Sequence, residues 1–227
     1  MPLLTVGHRG VMGVEPENTL RSFVRADREG LDVIELDLHL SKDGALVVMH
    51  DADVARTTDG EGPIGEFTLA ELRELDAGSG ERIPVFEEVV DAVRAPLQAE
   101  IKDRAAARVL AEVIEARGLH DRVTVISFHR EALRETRELL PDIPIVLVAG
   151  RSSPTAPERA QEIGAGMISL ELRHLDEDTV ARAHAAGIKV ISWTVNTPEE
   201  LARVRELGLD GVVTDRPEIR RAISAAA

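Results

Sequence analysis

Eight short apolar runs, each followed by a stretch with helical spacing, constrain this chain more than any other feature of its sequence. The runs lie at 3–6, 33–38, 97–102, 123–128, 145–148, 167–170, 189–194 and 211–214. They are rich in aliphatic and β-branched residues, as in strands covered on both faces. Helical patterns follow from Thr19 to Gly30 and at 84–94, 104–117, 130–140, 155–163, 176–186, 198–207 and 217–225. Strands that alternate with helices pair in parallel, because each crossover helix returns the chain to the same end of the sheet. Eight such units in 227 residues predict a (β/α)8 TIM barrel with its helices outside, as one α/β domain over 1–227. A doubly wound open sheet is the alternative. No Gly-x-Gly-x-x-Gly turn follows the first strand, so dinucleotide binding has no support.

One stretch breaks the order. Ser41-Lys42-Asp43-Gly44 reads as a hairpin turn leading into an extra strand at 45–49. Residues 52–83 are loop chemistry apart from a short helix opened by the capping-box pattern at Thr68. The expectation is a small insertion at about 45–83, after the second barrel strand, with its 52–83 part placed to cover a site.

Charge narrows the function. Asp and Glu number 41 against 27 Lys and Arg, a net charge of −14. That balance speaks against nucleic-acid partners and against stable docking on anionic membranes. The start, Met1 to His8, lacks a basic region followed by a long apolar run, so no signal peptide is expected and the default location is cytoplasmic. With no cysteine, thiol chemistry is excluded. An anionic substrate would need a local positive site, which a metal can supply.

The polar residues of the strands gather where barrel enzymes do their chemistry, at the carboxyl ends. In Val33-Ile34-Glu35-Leu36-Asp37-Leu38, alternation puts Glu35 and Asp37 on one face of an apolar strand. Unpaired burial of both would be costly, and a hard divalent cation is the simplest remedy. Glu100 and Lys102 repeat the two-residue spacing on the third barrel strand. Glu35, Asp37 and Glu100 suit Mg²⁺ or Ca²⁺. Arg9 and Lys102 suit a phosphate. His8 and His50 are candidates for acid and base. Gly7 and Gly10 flank His8-Arg9, as where a backbone turns or approaches a ligand closely. Trp193, the single tryptophan, alternates with Ile191 so as to face inward at the barrel mouth. Glu171 stands evenly between the site and a solvent pairing near Arg173. His129 reads as a helix start, and Asp215, before Arg216-Pro217, as a helix cap. His39, His120, His174 and His184 read as surface residues.

The ordered set His8-Arg9-Gly10, Glu17-Asn18-Thr19, Glu35-x-Asp37, His50-Asp51 and Glu100-x-Lys102 resembles the glycerophosphodiester phosphodiesterase family over essentially the whole chain. Ser192-Trp193-Thr194-Val195-Asn196 and Thr214-Asp215-Arg216-Pro217 extend the likeness. The resemblance implies a metal-dependent barrel that hydrolyses glycerophosphodiesters, a small-molecule substrate class, to glycerol 3-phosphate and an alcohol. It implies Glu35, Asp37 and Glu100 as ligands of one divalent cation, His8 and His50 as the acid/base pair, and Arg9 and Lys102 on the phosphate. Trp193 would line the pocket, with Asn18 and Asp51 supporting the site from behind. Two alternatives carry over: a phospholipase C- or D-like phosphodiesterase acting on lipid, and a non-catalytic barrel that binds a phosphorylated ligand. Oligomeric state is not readable from these motifs.

Overall fold

A computed structural model describes residues 3–151 and 153–225. Its strands are β1 (Leu4–Gly7), β2 (Val33–Leu40), β3 (Leu46–Val48), β4 (Leu97–Ile101), β5 (Val123–Ser127), β6 (Ile145–Ala149), β7 (Met167–Glu171), β8 (Lys189–Trp193) and β9 (Gly211–Thr214). The helices are α1 (Leu20–Arg28), α2 (Leu69–Leu72), α3 (Phe86–Ala92), α4 (Ala106–Arg117), α5 (Arg130–Leu139), α6 (Ala156–Ile163), α7 (Glu177–Ala185), α8 (Pro198–Glu206) and α9 (Pro217–Ser224). All strands except β3 pair in parallel in the cyclic order β1-β2-β4-β5-β6-β7-β8-β9, and β9 pairs back to β1. The result is the closed eight-stranded barrel expected from the alternation.

The alternation within each strand sorts residues between two cores. On β2, Ile34, Leu36 and Leu38 are fully buried against the helices, in one cluster with Phe23 of α1 and Phe86 and Val89 of α3. Each such Leu, Ile or Phe contributes roughly 1.5–3 kcal/mol by leaving water. Inside the barrel, Val6, Ile191 and Val213 pack with Val33 and Met167, and Ile126, Val146 and Val148 fill the other side. These apolar residues plug the barrel, so the polar residues beyond them line a closed-bottomed cavity rather than a pore.

The helix signals hold locally. Thr19 caps α1 by accepting from Ser22 N at 3.2 Å, and Thr68 with Glu71 forms the capping box of α2. The hairpin turn delivers β3, which pairs antiparallel with Leu38–Leu40 of β2. Leu46 and Val48 face the main core, while Val47 and Met49 face a second one with Val54, Ile64, Leu72, Ala77 and Ile83. The insertion is thus a small packed unit of its own beside the barrel mouth. Among the described residues no helix is long and apolar enough to cross a membrane.

Candidate active site at the carboxyl end of the barrel

The loop after β1 is built around close approaches. Gly10 has φ +85°, and a Cβ there would lie 2.3 Å from Ser22 Oγ. That hydroxyl donates to Arg9 O at 2.9 Å and accepts from Val11 N at 2.8 Å. Arg9 itself sits at φ +49°, a left-handed conformation that costs a non-glycine residue of order 1–3 kcal/mol and must be imposed by its surroundings. Its N–H donates to Glu35 Oε2 at 2.9 Å. Asn18, also left-handed at φ +56°, donates through Nδ2 to Asp37 Oδ2 at 2.8 Å.

Glu35, Asp37 and Glu100 are 4%, 1% and 7% exposed, and one oxygen from each falls within 4.8 Å of the others. β2 and β4 pair Asp37 with Glu100, so parallel register sets the cluster. Two cations border it. Arg9 Nε is 3.3 Å from Asp37 Oδ2; Lys102 Nζ donates to Glu100 Oε1 at 3.0 Å and lies 3.4 Å from Asp37 Oδ1. Burial, and then the charges of Asp37 and Glu100, push Glu35 well above the usual carboxylate range. Burial and Asp37 push Glu100 up to about 7. Burial would raise Asp37 too, but Lys102, Arg9, His50 and the Asn18 amide together hold it below its ordinary value. Asp37 Oδ1 is buried without a hydrogen bond. An acceptor with no hydrogen bond, with the Lys102 ammonium 3.4 Å away, amid three clustered carboxylates fits a hard divalent cation, which would compensate the charge and ligate that oxygen.

Both histidines are backed by acids. His8 Nδ1 is 2.7 Å from Asp215 Oδ1, and His50 Nδ1 is 2.5 Å from Asp51 Oδ1. Each contact occupies Nδ1 and leaves Nε2 as the ring nitrogen open to a ligand. Burial is the main influence on His50 and holds its imidazole below the ordinary histidine value. Hydrogen bonding to Arg56 is the main cause that brings Asp51 down to about 2, with His50 adding to it.

His8, Arg9, Glu35, His50, Glu100, Lys102 and Trp193 line one cavity of about 320 Å³. Its apolar wall is Ile126, Phe128, Val148 and Val213, with the Phe128 and Trp193 rings edge to face at 5.9 Å. Gln98, 3% exposed, also lines it, with Oε1 unbonded. Asn18 and Asp51 stand behind this lining, on Asp37 and His50.

Three expectations change. Asp215 is not a helix cap: Arg216 is the residue before α9, and the Asp215 carboxylate is drawn to His8 and to Asn196 Nδ2 at 2.6 Å. His39 is not a surface residue: it is 8% exposed, with Nε2 3.1 Å from His50 O, because β3 folds the chain back over that end of β2. Residues 52–83 do not roof the cavity, since none of those described lines it; the insertion reaches the site through His50, after β3, and through Arg56 behind it. Glu171 pairs with Arg173 and lies 3.5 Å from His174, at the edge of the neighbouring groove rather than in the main cavity. His129 does precede α5. Sequence reasoning missed Asn196, Glu17 and Arg56 as partners of the site, although Glu17 and Asn196 fall within the motifs quoted above.

A model of the glycerophosphoryl diester phosphodiesterase family matches residues 8–219. A glycerophosphodiester phosphodiesterase of Caldanaerobacter subterraneus subsp. tengcongensis is 34% identical, covering 96% of this chain and 96% of the relative. One from Bacillus subtilis is 30% identical, covering 96% of this chain and 85% of its own. Among solved structures, an Oleispira antarctica phosphodiesterase in complex with the product sn-glycerol-3-phosphate is similar with a TM-score of 0.89 and 29% identity, covering 99% of this chain and 97% of that one. A putative glycerophosphodiester phosphodiesterase from Galdieria sulphuraria gives a TM-score of 0.90 at 30% identity, covering 99% and 98%.

Proposed function

The chain belongs to the glycerophosphoryl diester phosphodiesterase family, and from that premise we propose that it hydrolyses glycerophosphodiesters to glycerol 3-phosphate and an alcohol. In this reading Glu35, Asp37 and Glu100 hold one divalent cation, Mg²⁺ or Ca²⁺, and His8 and His50 form the acid/base pair. The observation that carries it is the convergence, on one cavity, of a buried carboxylate cluster, two cationic side chains and two carboxylate-backed histidines.

The chemistry follows from charge. A phosphodiester monoanion resists nucleophiles because its oxygens repel them. When bound, the cation would act as a Lewis acid on the phosphoryl group. Arg9 and Lys102 place two further positive charges against the phosphate oxygens, in a cavity whose surroundings screen them weakly. Asp215 and Asp51 fix the imidazoles with Nε2 toward the substrate. One histidine takes the proton of the attacking oxygen, and the other gives a proton to the departing alkoxide. The Gln98 carboxamide offers its free acceptor to a glycerol hydroxyl, and the Phe128–Trp193 wall takes the apolar edges of the substrate.

The test is release of glycerol 3-phosphate from glycerophosphocholine and glycerophosphoethanolamine with Mg²⁺, with Ca²⁺ and with EDTA. Release that chelation abolishes is the expected result. His8→Ala and His50→Ala should each lower kcat by about 10²–10⁴-fold. No release from any soluble diester with either metal, or near-full turnover in either variant, would overturn the assignment.

A further inference from the structure

Resting on that reading, we propose that Arg56 is a positioning residue that holds His50 and Arg9 in register with one another. Its guanidinium uses both of its edges. Nη1 and Nη2 donate to Glu17 Oε2 and Oε1, each at 2.8 Å, and Nε donates to Asp51 Oδ2. Asp51 in turn holds His50 Nδ1 through its other oxygen, and Glu17 Oε1 accepts from Arg9 Nη1 at 2.9 Å. One planar fork therefore joins the carboxylate behind the histidine to the carboxylate behind the phosphate-facing arginine. Only arginine offers this two-sided geometry.

Arg56 does not line the cavity, so it acts through these two acids rather than on substrate. Its backbone is anchored elsewhere. Val54, fully buried in the insertion core, donates to Gly62 O at 3.0 Å and accepts from Thr58 N at 3.1 Å. The packing of the insertion thus carries the order of this turn to the site. Arg56 is 46% exposed on its side chain, and pairs so exposed add little to stability. Its contribution is geometric.

The experiment is a set of double-mutant cycles on the full chain, reading kcat for His50 and the inhibition constant of sn-glycerol 3-phosphate for Arg9. Arg56→Gln should lower kcat by roughly 10–100-fold and weaken the product, with the melting curve little changed. In the Asp51→Asn background the same change should lower kcat less than about threefold yet still weaken the product. In the Glu17→Gln background the pattern should reverse. Equal losses in all three backgrounds, or unchanged kinetics in Arg56→Gln, would overturn the proposal. If Arg56→Gln fails to fold, Arg56→Lys keeps the charge without the fork, and full activity there would be equally fatal. A wild-type protein inactive on every diester would refute the functional reading instead, which keeps the two failures distinct.

Discussion

His8 Nδ1 lies 2.7 Å from Asp215 Oδ1, across 207 residues of sequence, because β1 and β9 are neighbours where the barrel closes. Asn196 Nδ2 donates to the other oxygen of Asp215 at 2.6 Å. In Asp215→Asn the amide oxygen must stay on the Asn196 side, which turns its NH₂ toward His8 Nδ1. That forces the wrong imidazole tautomer, with the proton on Nε2. We expect kcat to fall at least 10–100-fold with folding intact, and ¹⁵N spectra of His8 to show the tautomer change. An active variant with an unchanged His8 spectrum would remove Asp215 from any role at the site.

The carboxylate cluster predicts a metal-dependent melting point. A cation bound only by the folded chain adds about 2.7 kcal/mol at a hundred times its Kd, or roughly 5–10 °C for a domain of this size. Glu100→Gln removes one ligand and one of the crowded charges. Its metal-free form should melt no lower than the metal-free wild type, and added Mg²⁺ or Ca²⁺ should leave it unmoved. Scanning calorimetry with and without EDTA checks both statements. A full metal-induced rise in Glu100→Gln would exclude Glu100 as a ligand.

The loop that carries His8 and Arg9 depends on Gly10. Its φ of +85° costs an alanine roughly 1–2 kcal/mol. The added Cβ would also meet the Ser22 backbone carbon at 2.7 Å, and that backbone cannot rotate away as a side chain would. Gly10→Ala should lower the unfolding free energy by more than the backbone cost alone and weaken product binding through displacement of Arg9. Urea unfolding and a product titration measure the two effects. Wild-type values in both would show the loop to be softer than its contacts imply.

What could be read from the chain divides by sequence distance. Glu35 with Asp37, and Glu100 with Lys102, were legible because a strand's period of two fixes their faces locally, and a parallel barrel then brings the two strands together. Thr19 and Thr68 were legible because capping is a matter of three residues. Asp215 was not. Asp before Arg-Pro is the local pattern of a helix cap, and only barrel closure, which a linear reading does not contain, sets it against His8. His39 failed for a similar reason: its burial is supplied by β3 and the His50 carbonyl, both of which fold back on it. Arg56 lies in loop chemistry with no periodicity, and nothing local pairs it with Glu17, 39 residues earlier.

Acid should separate the wild type from Asp51→Asn. Asp51 is held at about 2 in the folded chain, by Arg56 first and His50 with it, against an ordinary value of 3.8. A carboxylate whose folded pKa is depressed contributes its stability in full above the unfolded value, and loses it as the pH falls through the folded one. The window is therefore from about 4 down to about 2. Glu17 is also held low, against its own burial, by Arg56 and Arg9, so the same network weakens from both ends as acid is added. Asp51→Asn has no proton to gain. Its urea midpoint should lie below that of the wild type near neutrality, and the gap should close toward pH 2. Asp51 is about one-third exposed, so solvent screening keeps the gap small and its narrowing is the informative quantity. A gap that stays constant across the window would mean that the Asp51–Arg56 pair does not form in solution, and the link from the insertion to His50 would fall with it.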